Sequence, residues 1–139
     1  MDLPPPSLLV VDDDPMVRDQ LARLYGYSGY SVSCVLSAEE AVTRLAEGDI
    51  DLVISDVKLP GTDGIELTSY IHNHFPDVPV IIITGIPDIQ TAVDVLKMGA
   101  VEFLIKPFDL IGVQELTRTA LEKTRVFREI RHLRRRLQD

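Results

Sequence analysis

The stretch LLVVDDDPM, residues 8–16, governs how the rest of the chain is read. Four apolar residues run straight into Asp12, Asp13 and Asp14, and Pro15 follows. An unbroken apolar run of this length suits a strand buried on both faces. Asp14 before Pro15 is a helix start, with aspartate at the cap and proline at the first helical position. Adjacent carboxylates repel, so three in a row call for a bound cation, full hydration or a capping task. Capping accounts for Asp14. It leaves Asp12 and Asp13 crowded at a strand end.

The same alternation continues outward. After a helix to about Tyr27, YSVSCVL alternates like a strand. SAEEAVTRLAEG then carries a capping box, Ser37 with Glu40, and a glycine stop at Gly48. DLVIS is a third strand, followed by a helix from about Gly64 to His74 that Pro76 ends. VPVIIIT, the helix IQTAVDVLKMG and VEFLI complete the pattern, and Asp109 caps a last helix expected to run unbroken to the chain end. Five strands alternating with five helices require a parallel sheet covered on both faces, a doubly wound α/β fold. The chain divides into a flexible leader over 1–6, containing PPP at 4–6, one domain over 7–123, and a projecting helical extension over 124–139.

Bulk properties agree with one domain. At 139 residues and 45% hydrophobic content the chain suffices for a single core. One cysteine, Cys34, excludes an internal disulfide framework and suits a reducing compartment. No apolar run approaches spanning length and no basic signal region opens the chain, so a cytoplasmic protein away from membranes is expected. Residues 1–124 carry 8 Lys and Arg against 20 Asp and Glu, whereas 125–139 carry 6 against 2. The acidic body would repel nucleic acid.

In open sheets of this kind ligands sit at the carboxyl ends of the strands, where the strand order reverses. Those ends are Asp12 and Asp13, Asp56, Thr84 and Lys106. Three facing carboxylates make a hard-cation site of the sort Mg²⁺ favours. Lysine and a hydroxyl at the same rim supply a point charge and a donor for phosphoryl oxygens. With its charge neutralised a carboxylate can attack phosphorus, and Asp56 is the natural nucleophile.

The motifs VVDDDP, DLVISDVKLPGTDGIEL, IIITG and GAVEFLIKPF, in this order and spacing over about residues 7–123, resemble the receiver domain of two-component response regulators. The resemblance implies a flavodoxin-like sheet of order 2-1-3-4-5. It implies that Asp56 accepts a phosphoryl group from a sensor histidine kinase, that Asp12, Asp13 and Asp56 hold Mg²⁺, and that the backbone carbonyl of Lys58 completes the protein ligands. Thr84 and Lys106 would contact phosphoryl oxygens, Lys106-Pro107 would be cis, and Phe103 would be the switch aromatic. Such a domain is a signalling receiver that assists its own phosphorylation and dephosphorylation, and is not a turnover enzyme. Two departures, Gly85 where alanine is frequent and Thr62 where methionine often stands, lie away from the phosphoryl chemistry. A haloacid-dehalogenase-like phosphatase would need a second aspartate two residues after the nucleophile, where Lys58 stands. Neither GxxxxGK[ST] nor GxGxxG occurs.

His72 and His74, two apart on a helix, point to different faces and make a poor metal pair. The last helix, from Asp109 to Gln138, would be roughly 45 Å long, about twice what covering a small sheet needs. Val126, Ile130, Leu133 and Leu137 fall at spacings of 4, 3 and 4 among Arg128, Arg131, Arg134, Arg135 and Arg136. This apolar seam with a basic exterior predicts a homodimer through the last helix and a path to an output domain beyond it. The extended basic helix resembles the regulatory halves of ATPase-driven transcriptional activators.

Overall fold

The computed structural model describes residues 3–85 and 88–138. Its elements in chain order are β1 (Ser7–Val11), α1 (Pro15–Tyr27), β2 (Ser31–Val35), α2 (Ala38–Ala46), β3 (Leu52–Asp56), α3 (Gly64–His74), β4 (Val80–Thr84), α4 (Ile89–Lys97), β5 (Glu102–Ile105), α5 (Leu110–Lys123) and α6 (Arg125–Gln138). The five strands are parallel in the order β2-β1-β3-β4-β5, the doubly wound arrangement expected.

The strand patterns follow their places in the sheet. β3 and β4, central and covered on both faces, are buried throughout, and β1 is buried after Ser7. The edge strands β2 and β5 are only partly covered. One core joins Leu9, Val11, Val53 and Ile82 to α2, α3 and α4 through Leu45, Ile71 and Val95. On the opposite face Leu8, Val10, Ile54 and Ile83 meet α1 and α5 through Leu21, Tyr25 and Val113. Each strand thus sends alternate side chains to opposite cores.

The helix starts are set by the residues that the chain's spacing singled out. Asp14 accepts the Met16 N–H, Ser37 the Glu40 N–H and Asp109 the Ile111 N–H. Asp63 and Asp88 cap α3 and α4 in the same way.

Of the leader over 1–6, residues 1 and 2 lie outside the described residues, and residues 3–6 have no regular structure but make two hydrogen bonds. The Pro6 carbonyl accepts the Ser31 N–H at 2.9 Å, and the Pro4 carbonyl accepts from Arg128. The last helix is not continuous and does not project as drawn from the sequence. It ends at Lys123 with Thr124 as cap, and α6 lies back against the amino-terminal ends of β1 and β3. There Arg128 and Arg131 pair with Asp51, and Arg135 pairs with Asp49. These acidic partners lie far away in sequence, and periodicity within the helix cannot register them.

Candidate functional site

The carboxyl ends of β1, β3, β4 and β5 converge on one acidic hollow. Parallel strands in register bring Val11 opposite Ser55 and Asp56 opposite Ile83, so that the residues following β1 stand beside the end of β3. Asp12, Asp13 and Asp56 each offer a carboxylate oxygen, and these oxygens lie within 4.8 Å of one another. Asp12 and Asp56 are buried and Asp13 is exposed. Among the described residues this is the group of acidic, cysteine or histidine side chains able to hold a metal ion. His72 and His74 are exposed and not part of it, and His74 stacks on Tyr70 with ring centroids 4.1 Å apart.

Lys106 enters from β5. Its Nζ donates to Asp56 Oδ2 at 2.9 Å and to Asp12 Oδ2 at 3.0 Å. The peptide between Lys106 and Pro107 is cis, as the resemblance implied. The Lys106 backbone N–H donates to the Thr84 carbonyl at 2.8 Å, which fastens the lysine to the end of β4. Thr84 itself is fully buried. Phe103, two residues before the end of β5, pairs in register with Ile82 and packs partly buried on the α2–α3–α4 core.

The electrostatics follow from burial. Burial pushes the Asp12 carboxyl up from its ordinary 3.8, against the pull of the Asp14 N–H and Lys106, and the Asp56 charge adds to the rise. Burial draws the Lys106 ammonium down, but its bonds to Asp56 and Asp12 outweigh that and leave it raised above 10.5. One cation thus serves two of three carboxylates. The remaining negative charge suits a divalent cation with oxygen ligands.

Local structure fixes these groups. Asp12 Oδ1 accepts the Asp14 N–H at 2.9 Å, and the Asp12 carbonyl accepts from Arg18 at 2.8 Å. The Lys58 N–H donates to Asp56 Oδ1 at 3.3 Å, closing the loop after β3 onto the carboxylate. Arg18 escaped the sequence reading, since nothing distinguishes it from any arginine on an exposed helix turn. Gly64 also escaped it. A Cβ there would collide with the Asp56 carbonyl oxygen, so only glycine lets α3 start against the backbone at the end of β3. The DG pair at 63–64 was the available signal.

Comparison with known proteins agrees with this geometry. The family model described as Response regulator receiver domain matches residues 8–119. The C4-dicarboxylate transport transcriptional regulatory protein DctD of Rhizobium meliloti is 38% identical over 130 residues, 94% of this chain and 28% of that protein. The regulatory protein AtoC of Escherichia coli is 33% identical over 91% of this chain and 27% of its own length. The chain therefore spans a little over a quarter of these curated relatives. Among solved structures, the signal receiver domain of an HD domain-containing protein from Pseudomonas fluorescens superposes with a TM-score of 0.88 at 31% identity, covering 93% of this chain and 96% of that one. NtrX from Brucella abortus, solved in complex with ADP, superposes at 0.81 with 31% identity over 97% of this chain and 30% of its own. No helix among the described residues is long and apolar enough to cross a membrane. Fold, acidic hollow and family match converge, and the chain belongs to the response regulator receiver domain family.

Proposed function

We propose that the domain is a phosphorylation-controlled switch in which Asp56 accepts a phosphoryl group from a sensor histidine kinase and Mg²⁺ is required. The observation that carries this reading is the bridging of Asp56 and Asp12 by Lys106 inside a three-carboxylate hollow. Asp12, Asp13, Asp56 and the Lys58 backbone carbonyl would hold Mg²⁺. When bound, the ion offsets the repulsion between these carboxylates and an incoming phosphate. An Asp56 carboxylate oxygen forms the new bond to phosphorus while the bond from phosphorus to the donor breaks. Lys106, already donating to Asp56, turns its ammonium to the phosphoryl oxygens, and the Thr84 hydroxyl supplies a further donor. As Thr84 moves, Phe103 takes up the space beside it and the face of α4, β5 and α5 changes.

This role is that of a signalling receiver that assists its own phosphorylation and dephosphorylation without turnover of a substrate pool. A cytoplasmic setting fits the absence of a long apolar helix among the described residues. The relatives' names as transcriptional regulators, and their greater length, support an output domain following this region. The acidic charge of residues 1–124 supports partners other than nucleic acid for the body itself. The experiment is incubation with acetyl phosphate and Mg²⁺, with and without chelator, followed by intact mass. A stable single phosphoryl adduct that chelator abolishes is expected. Multiple turnover would indicate a phosphatase, and no reaction would indicate a docking module.

A further inference from the structure

The end of the sheet opposite the acidic hollow holds an arrangement that phosphoryl chemistry does not use. Asp51, just before β3, is only 5% exposed. Its Oδ2 accepts the Ser7 N–H at 2.8 Å and stands 3.4 Å from Arg128 Nε, while Oδ1 accepts from Arg131. One turn further along α6, Arg135 pairs with Asp49. Arg128, Arg131 and Arg135 share one helix face. Val126, Ile130, Leu133 and Leu137 lie about 160° round the helix from it at 100° per residue. They are 63%, 40%, 47% and 87% exposed.

An amphipathic helix on a globular domain ordinarily buries its apolar face. α6 does the reverse, so charge rather than apolar burial holds it in place. The holding is marginal in one respect: Arg128 Nε and Arg131 Nε are buried without a hydrogen-bond partner, and buried unsatisfied donors are costly.

The joint is equally slight. Thr124 alone separates α5 from α6, with φ −103° and ψ 8°. Its Oγ1 donates to the Ala120 carbonyl at 3.3 Å, and its own carbonyl accepts the Arg128 N–H at 3.1 Å. Every other described residue from Leu110 to Gln138 is helical, and helix growth through one residue is far easier than helix initiation.

We infer that Asp51 and Asp49 form an electrostatic latch that holds α6 folded back, and that its release lets α5 and α6 join into one continuous helix. Latched, Arg128, Arg131 and Arg135 are paired and the chain leaves the domain beside the start of the sheet. Released, the arginines are free and the chain leaves along the axis of α5. The inference does not depend on the phosphoacceptor reading, because none of these groups touches the acidic hollow.

Small-angle scattering and amide exchange on the full 139-residue chain at low concentration and low salt test it. Asp51→Asn should lengthen the maximum dimension by roughly 15–20 Å, the scale of a 14-residue helix, and speed exchange over 128–136 at least tenfold. Arg128→Gln with Arg131→Gln should do the same while leaving the Asp51 bond to Ser7 untouched. Exchange in β1 serves as the check that the body stays folded. Thr124→Ala, which favours a continuous helix, should add to the extension. Wild-type chain that is already extended would overturn the latch. So would compact chains in both sets of variants, or extension in Asp51→Asn alone, which would trace the effect to Ser7.

Discussion

Asp13 differs from its two neighbours in the acidic hollow in having no ion pair to Lys106, which serves Asp12 and Asp56. Without a divalent ion it contributes mainly repulsion, so Asp13→Asn should raise the melting temperature in chelator by about 2–5 °C. Added Mg²⁺ should then stabilise the wild type and leave the variant nearly unchanged; equal melting of both proteins in chelator would count against a crowded site. Asp12 gives a pH-dependent expectation. Its folded pKa is raised above 3.8, so the folded state holds the proton more tightly than the unfolded chain. Its contribution is therefore most favourable below 3.8 and becomes a cost as pH rises through that value and the raised folded one. Asp12→Asn mimics the protonated form, so its stability relative to wild type should climb with pH across that window in urea titrations with chelator. A constant difference would refute the burial argument. Lys106 runs the other way at alkaline pH: its folded value lies above 10.5, so its stabilisation is complete below 10.5 and is lost as pH passes the folded value.

At the level of elements, α1 and α5 cover one face of the sheet and share a buried polar contact, Tyr25 Oη with Thr117 Oγ1 at 2.9 Å. Both residues are fully buried, and burial pushes the Tyr25 hydroxyl far up, so it remains a neutral donor or acceptor. Tyr25→Phe should cost about 1–2 kcal/mol by stranding the threonine hydroxyl. Thr117→Val should cost a similar amount, and the double variant less than the two together. Additive losses in denaturant unfolding would mean that the two hydroxyls are not coupled. Gly64→Ala should be harsher, at about 2–3 kcal/mol, since the new Cβ meets the backbone of Asp56 and Val57 rather than a movable side chain. These elements also mark what the amino-acid order discloses. Caps at Asp14, Ser37 and Asp109 were legible because a capping side chain acts within three residues of itself. The acidic hollow was legible because parallel strands bring all their carboxyl ends to one side. The break at Thr124 was not, because Asp51, with which Arg128 and Arg131 pair, lies more than seventy residues away. Arg18 and Gly64 were not, because each acts on a backbone atom whose position only the assembled sheet defines.

For the whole molecule, the acidic hollow sits at one end of the β-sheet and the junction to α6 at the other, with β3 carrying Asp56 at its end and Asp51 just before its start. The exposed seam of Val126, Ile130, Leu133 and Leu137 remains the surface on which a homodimer is expected. Sedimentation over a concentration series should show a weak dimer that is lost on ending the chain at Lys123 and on combining Ile130→Asp with Leu137→Asp. A dimer that survives truncation would place the contact on α4, β5 and α5 instead. Reductive trapping shows whether Asp56 is the phosphoacceptor. Borohydride converts an aspartyl phosphate into homoserine, and peptide mass then reads the position. Homoserine is expected at residue 56 alone, formed only when both phosphodonor and Mg²⁺ were present. Homoserine at residue 12 or 13, or its formation at 56 in chelator, would contradict it.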